Sequence, residues 1–216
     1  MAHAMMTLDV LSTEFDPISG AVIQVSNSPI RKIDITLDQP VNLAATESWL
    51  RMVMEMALDQ ALPSNQPAQV SLVLTDDTTI QDLNRKYRGL DEVTDVLSFS
   101  AEFPGHWEGD GDTAGSVAGT IAVTIDGDGL VPGPASFIMP PDQVPPLGEV
   151  IISHPQAQRQ AAEKAVDIDR ELALLVVHGV LHLLGHDHLG ATDTALMQSK
   201  EQAALQTIFS VGVSSP

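Results

Sequence analysis

The segment His178-Gly-Val-Leu-His182-Leu-Leu-Gly185-His186-Asp187-His188 gathers side chains that can do chemistry. His178 and His182 are four residues apart, so on an α-helix they share one face and their imidazoles can converge on one ion. Gly185 supplies the expected helix stop, because glycine tolerates the left-handed backbone of a C-terminal cap. The chain can turn there and bring His188 back. Three neutral imidazoles with an open fourth position form a catalytic rather than a structural zinc arrangement, and zinc lowers the pKa of a bound water to about 7 in favourable cases.

Cysteine is absent, which removes thiolate zinc clusters, disulfides and cysteine nucleophiles. One Zn2+ held by His178, His182 and His188 is the expected cofactor. His186 points differently if the turn is tight and is the least expected fourth ligand. Asp187 suits either a carboxylate that orients a ligand histidine or an ordinary turn residue. His154, His106 and His3 have no partners in sequence.

The ligand spacing is that of the metzincin peptidases, whose motif is His-Glu-x-x-His-x-x-Gly-x-x-His. Gly179 stands where those enzymes carry the glutamate general base, so peptide hydrolysis by that route has no counterpart here. A second informative stretch, Leu83 to Phe99, holds Arg85, Lys86 and Arg88 within four positions. Such a cluster commonly complements a helix C-terminus. An arginine beside a metal site could instead grip a phosphodiester bidentately.

These residues need a scaffold. At 216 residues and 44% hydrophobic, the chain can bury one sizeable core. Strands are expected over Ile33–Leu37, Val70–Thr75, Asp95–Phe99 and Glu149–Ser153. Helices are expected over Asn42–Leu62, from Thr75 to about Tyr87, and over Pro155–Ala165, Asp169–Leu184 and Ala191–Phe209. That order implies an α+β fold: a small mixed four-stranded sheet packed with helices, zincin-like, with the metal-binding helix near the C-terminus. A single domain is expected over 31–210, preceded by a weakly structured extension (1–30) and followed by a flexible tail (211–216). Residues 101–146, rich in Gly, Pro and Asp, read as a loop insertion in which only Gly119–Asp126 suggests a strand.

The formal charge is -19, which opposes any globally basic grip on nucleic acid. Residues 1–30 and 101–146 carry ten acids and no Lys or Arg, so about half of the excess lies outside the expected core. The start has no basic segment followed by an apolar run, and the longest apolar stretch, Leu172–Val177, falls far short of the ~20 residues that span a bilayer. A cytoplasmic protein without a membrane partner is expected.

His178-Gly-x-Leu-His182-Leu-x-Gly185-x-Asp187-His188, with Asn84-x-x-Tyr87-Arg88-Gly-x-Asp91-x-x-Thr94-Asp-Val-Leu-Ser-Phe99 and Leu147-Gly-Glu-Val-Ile-Ile-Ser153, resembles the YbeY endoribonuclease family over residues 31–100 and 147–210. The resemblance implies a zinc-dependent endoribonuclease specific for single-stranded RNA, acting on ribosomal RNA at the 3′ end of the small-subunit 16S rRNA and in ribosome quality control. It implies metal binding by His178, His182 and His188 and a catalytic role for Arg88. Leu90 departs from the family's usual basic residue and Glu149 from its usual aspartate. The implied partners are the small ribosomal subunit and a ribosomal protein or assembly GTPase that could supply RNA affinity. Two alternatives stand beside this reading: a peptidase-like zinc hydrolase, and a non-catalytic assembly factor whose metal holds the fold together.

Overall fold

The computed structural model describes residues 11–15, 22–26, 30–38, 43–102, 144–186 and 190–210. The extension expected to be weakly structured contains two strands, β1 (Leu11–Phe15) and β2 (Val22–Ser26), paired antiparallel with Leu11 opposite Ser26. The expected strand at Gly119–Asp126, most of the insertion and the tail at 211–216 lie outside the described residues.

Four further strands form one mixed sheet: β3 (Arg31–Leu37), β4 (Ala68–Thr75), β5 (Val96–Ser100) and β6 (Pro146–Ser153), in the order β3-β4-β6-β5. β4 runs parallel to β3 and β6, and β5 is antiparallel to β6. Position explains composition. The edge strand β3 buries Ile33 and exposes Asp34 and Thr36, as alternation on a half-covered strand requires. The central strands bury Val70, Leu72, Leu74, Val150 and Ile152 completely.

Five helices pack with this sheet: α1 (Leu43–Ala61), α2 (Asp77–Arg88), α3 (His154–Lys164), α4 (Ile168–Leu183) and α5 (Ala191–Ser210). The observed elements start and stop within about three residues of the expected bounds, so the α+β class with a four-stranded mixed sheet holds. α4 is the hub, touching α1, α3, α5, β5 and β6. Leu172, Val176, Val180 and Leu183 of α4 join Leu50, Met54 and Leu58 of α1 in the core. Each such side chain contributes about 1.5–3 kcal/mol on full burial. No helix among the described residues is long and apolar enough to cross a membrane.

The acidic insertion departs from the end of an antiparallel pair. Ser100 lies opposite Gly148, and Ala101 N–H donates to the Leu147 carbonyl at 2.9 Å. The sheet therefore closes at the root of the insertion without needing its sequence. Gly148 has φ +137°, and a Cβ there would fall 2.0 Å from the Phe99 carbonyl oxygen. Only glycine fits that combination, which gives the Leu147-Gly148-Glu149 motif a backbone origin. The root also touches the end of α4, because Ser100 Oγ donates to the Leu183 carbonyl at 2.9 Å.

Candidate metal centre and its setting

α4 is buried on most sides, yet His178 and His182 are only half-buried. Their spacing places them one above the other on the face toward α5, with ring centroids 4.6 Å apart and planes at 74°. The two Nε2 atoms lie 3.1 Å apart. An ion about 2.0–2.1 Å from both, the usual zinc–imidazole length, would subtend an angle of roughly 100° at that separation, close to tetrahedral. The pair therefore fits a shared ion.

The helix ends as the glycine requires. Gly185 has φ +79°. Its N–H donates to the His182 carbonyl, and the His186 N–H donates to the Leu181 carbonyl, both at 3.0 Å. That double bond pattern is a Schellman cap, which satisfies the last carbonyls and reverses the chain beside the histidines. His186 is half-buried, and burial, then Lys200, hold its imidazole below the usual histidine range. His188 and Asp187 lie outside the described residues. Among the described residues no group of three His, Cys, Asp or Glu is placed to hold a metal ion.

Sequence reading missed Glu201. It sits on α5, only 14% exposed, with Oε1 2.8 Å from Nδ1 of His178. It was out of reach of motif reading because it lies 23 residues downstream on an ordinary helical face. His178 and Glu201 also line a cavity of about 310 Å³ between α4, α5, the end of α3 and the start of β5, shared with Asp95, Lys164 and Glu171.

Gly179 is fixed by packing. A Cβ there would lie 2.6 Å and 2.9 Å from the two methyls of Val150 and 3.3 Å from Ser98 Oγ. The position where metzincins keep their glutamate faces the sheet here and has no room for a side chain.

The basic trio divides. Arg85 is held by Asp82 at 2.7 Å and Asp91 at 3.6 Å. Lys86 lies over the Tyr87 ring, 4.9 Å from its centroid. Arg88 is half-buried in the last turn of α2. The Gly89 cap, at φ +73° with its N–H on the Arg85 carbonyl, ends the helix immediately after it. Tyr87 packs edge-on against Phe99 of β5, with centroids 5.1 Å apart. Asn84, 1% exposed, donates to the Glu92 carbonyl at 2.9 Å and ties the following loop to α2. The Tyr87–Arg88 segment and the histidine helix are thus both anchored on β5, since Gly179 approaches Ser98 of the same strand.

Known proteins resemble this chain over most of its length. The family model described as Endoribonuclease YbeY matches residues 32–209. A protein of Dehalococcoides mccartyi strain CBDB1 named Endoribonuclease YbeY is 34% identical over 179 residues, spanning 82% of this chain and 93% of that one. One from Roseiflexus castenholzii is 39% identical over 71% of this chain and 80% of its own. One from Lysinibacillus sphaericus is 36% identical over 85% and 98%. A solution structure of a Thermotoga maritima protein superposes loosely, with a TM-score of 0.47 at 20% identity over 82% of this chain and 89% of that one. With a family model spanning most of its length and relatives above 30% identity across most of both chains, this chain belongs to the endoribonuclease YbeY family.

Proposed function

We propose that this protein is a metal-dependent endoribonuclease that cleaves single-stranded RNA, with ribosomal RNA as its substrate and the 3′ end of the small-subunit RNA as its site of action in the cytoplasm. The observation that carries the metal part is the 3.1 Å approach of the His178 and His182 Nε2 atoms on a helix that turns immediately afterwards. Family membership and the relatives' names support RNA as substrate.

His178 and His182 would hold one Zn2+, with His188 the third ligand. Bound Zn2+ supplies Lewis-acid polarisation of a phosphoryl oxygen and acidifies water. Arg88 would grip the phosphodiester through its guanidinium and offset charge that develops on its oxygens. The β5 strand, shared by both segments, sets their relative position. A ribosomal protein or an assembly GTPase on the small subunit would supply the affinity that a -19 chain lacks, in which case ribosomal particles are cut more efficiently than naked RNA.

The deciding experiment pairs metal analysis with RNA cleavage for wild type, His182→Ala and Arg88→Ala. The expected result is one Zn2+ per wild-type chain, with metal and activity both lost in His182→Ala. Arg88→Ala should keep its metal and lose about 10²–10³-fold in rate, the scale of one transition-state charge donor. Full cleavage by verified metal-free protein would refute the metal part. Tight binding to ribosomal particles without any cutting of RNA would favour a non-catalytic assembly factor.

A further inference from the structure

We infer that Glu201 is the positioning residue of the metal centre: its carboxylate fixes the tautomer and the ring orientation of His178, so that the Nε2 lone pair faces the site shared with His182. The inference rests on the metal reading of the histidine pair. A neutral imidazole carries one N–H, and only its other nitrogen can donate a lone pair to an ion. A carboxylate accepts and never donates, so the 2.8 Å contact between Glu201 Oε1 and His178 Nδ1 is a hydrogen bond in the tautomer that carries its proton on Nδ1. Nε2 is then left bare, and it is the atom that lies 3.1 Å from its counterpart on His182.

The geometry excludes Glu201 as a ligand in this arrangement, because its carboxylate sits at Nδ1 while the two histidines converge through Nε2. The contact is also sheltered. Glu201 is 14% exposed and His178 29%, so water competes poorly for the bond and the low local dielectric strengthens it. Met197, one turn earlier on α5, is buried in the core and holds this stretch of the helix against α4. Carboxylates placed in this way around metal-binding histidines are worth 10–100-fold in metal affinity.

An ordinary interhelical contact tying α5 to α4 is the competing explanation, and two readouts separate it. The first is the 15N spectrum of His178 in metal-free protein. Wild type should show Nδ1–H, and Glu201→Leu, which keeps bulk but loses the acceptor, should shift toward Nε2–H. The second is competition titration of Zn2+ against a chromophoric chelator at fixed pH. Glu201→Leu should bind Zn2+ 10–100-fold more weakly, with Glu201→Gln, whose amide oxygen can still accept, close to wild type. Thermal unfolding of both variants checks that the fold is kept, and the wild-type 15N spectrum carries the tautomer test if the leucine variant unfolds. Nε2–H in the wild type, or equal Zn2+ affinity for wild type and Glu201→Leu, would overturn the role of Glu201. Failure of the wild type itself to take up Zn2+ would instead refute the metal reading.

Discussion

Gly179 packs against Val150 so closely that a Cβ on the glycine would fall 2.6 Å from Cγ1 of the valine. α4 therefore lies on β6 at a separation that only glycine permits, and the neighbouring His178 inherits its position from that contact. Gly179→Ala should destabilise the protein by about 1–3 kcal/mol through overpacking, reduced by the roughly 1 kcal/mol that alanine gains over glycine in a helix. Val150→Ala in the same chain should recover most of the loss. Urea unfolding of the single and double variants checks this, and a Gly179→Ala protein as stable as wild type would show that the sheet yields easily.

What the sequence made legible was local. Thr75-Asp76-Asp77-Thr78 announces a helix start, and Asp76 indeed accepts the Thr79 N–H at 2.8 Å. Gly185 announces a stop and supplies it with the expected φ. The His178–His182 spacing yields one face because helical periodicity is a property of neighbours. What stayed hidden was nonlocal. β6 inserts between β4 and β5 although it follows both in the chain, and no periodicity encodes that order. Glu201 reaches His178 only because α5 folds back along α4. The β-branched residues Val22, Ile23 and Val25 suit the strand found within 1–30.

Lys164 and Glu171 form an ion pair with Nζ 2.5 Å from Oε1 and the carboxylate side chain only 2% exposed. Lys164→Met strands that carboxylate in a cavity wall that also holds Asp95 and Glu201. The lysine itself is half exposed, so solvent partly replaces it, and a loss of about 1–3 kcal/mol is expected rather than the larger cost of breaking a dry pair. The double variant Lys164→Met/Glu171→Leu should regain most of that stability. A single variant within 0.5 kcal/mol of wild type, on the scale of ordinary surface changes, would show that water already solvates Glu171.

Acidification should weaken the fold in two separate windows. Burial holds His154, at the start of α3, below the usual histidine range. A depressed histidine contributes stability above its unfolded pKa, and that contribution is lost as pH falls through the folded value. Asp76 is held below 3.8, first by the Thr79 backbone N–H and then by the Thr79 side chain, so its contribution persists to lower pH and is lost only below that value. Urea midpoints measured from pH 7.5 to 5.5 should fall less steeply for His154→Gln than for wild type. Parallel slopes would remove His154 from the account.

On the proposed metal reading, Gly185 links helix termination to metal binding. Its φ of +79° costs a residue with a Cβ about 1–2 kcal/mol, and asparagine, which visits that region more readily, less than alanine or valine. The strain would fall on the bonds from Gly185 to His182 and from His186 to Leu181, which set the direction of the chain as it leaves α4. Stability should fall in the order Gly, Asn, Ala, Val. If His188 is the third ligand, as proposed, Zn2+ affinity should fall in the same order and by a larger factor, because a ligand misplaced by about 1 Å loses its bond while the rest of the core is untouched. Gly89→Ala is the control. It carries the same kind of left-handed backbone at φ +73° with nothing within 4 Å of the added Cβ, so it should lose comparable stability yet leave Zn2+ uptake at the wild-type level. Equal loss of Zn2+ affinity in Gly89→Ala and Gly185→Ala would mean that metal binding follows global stability and not the turn.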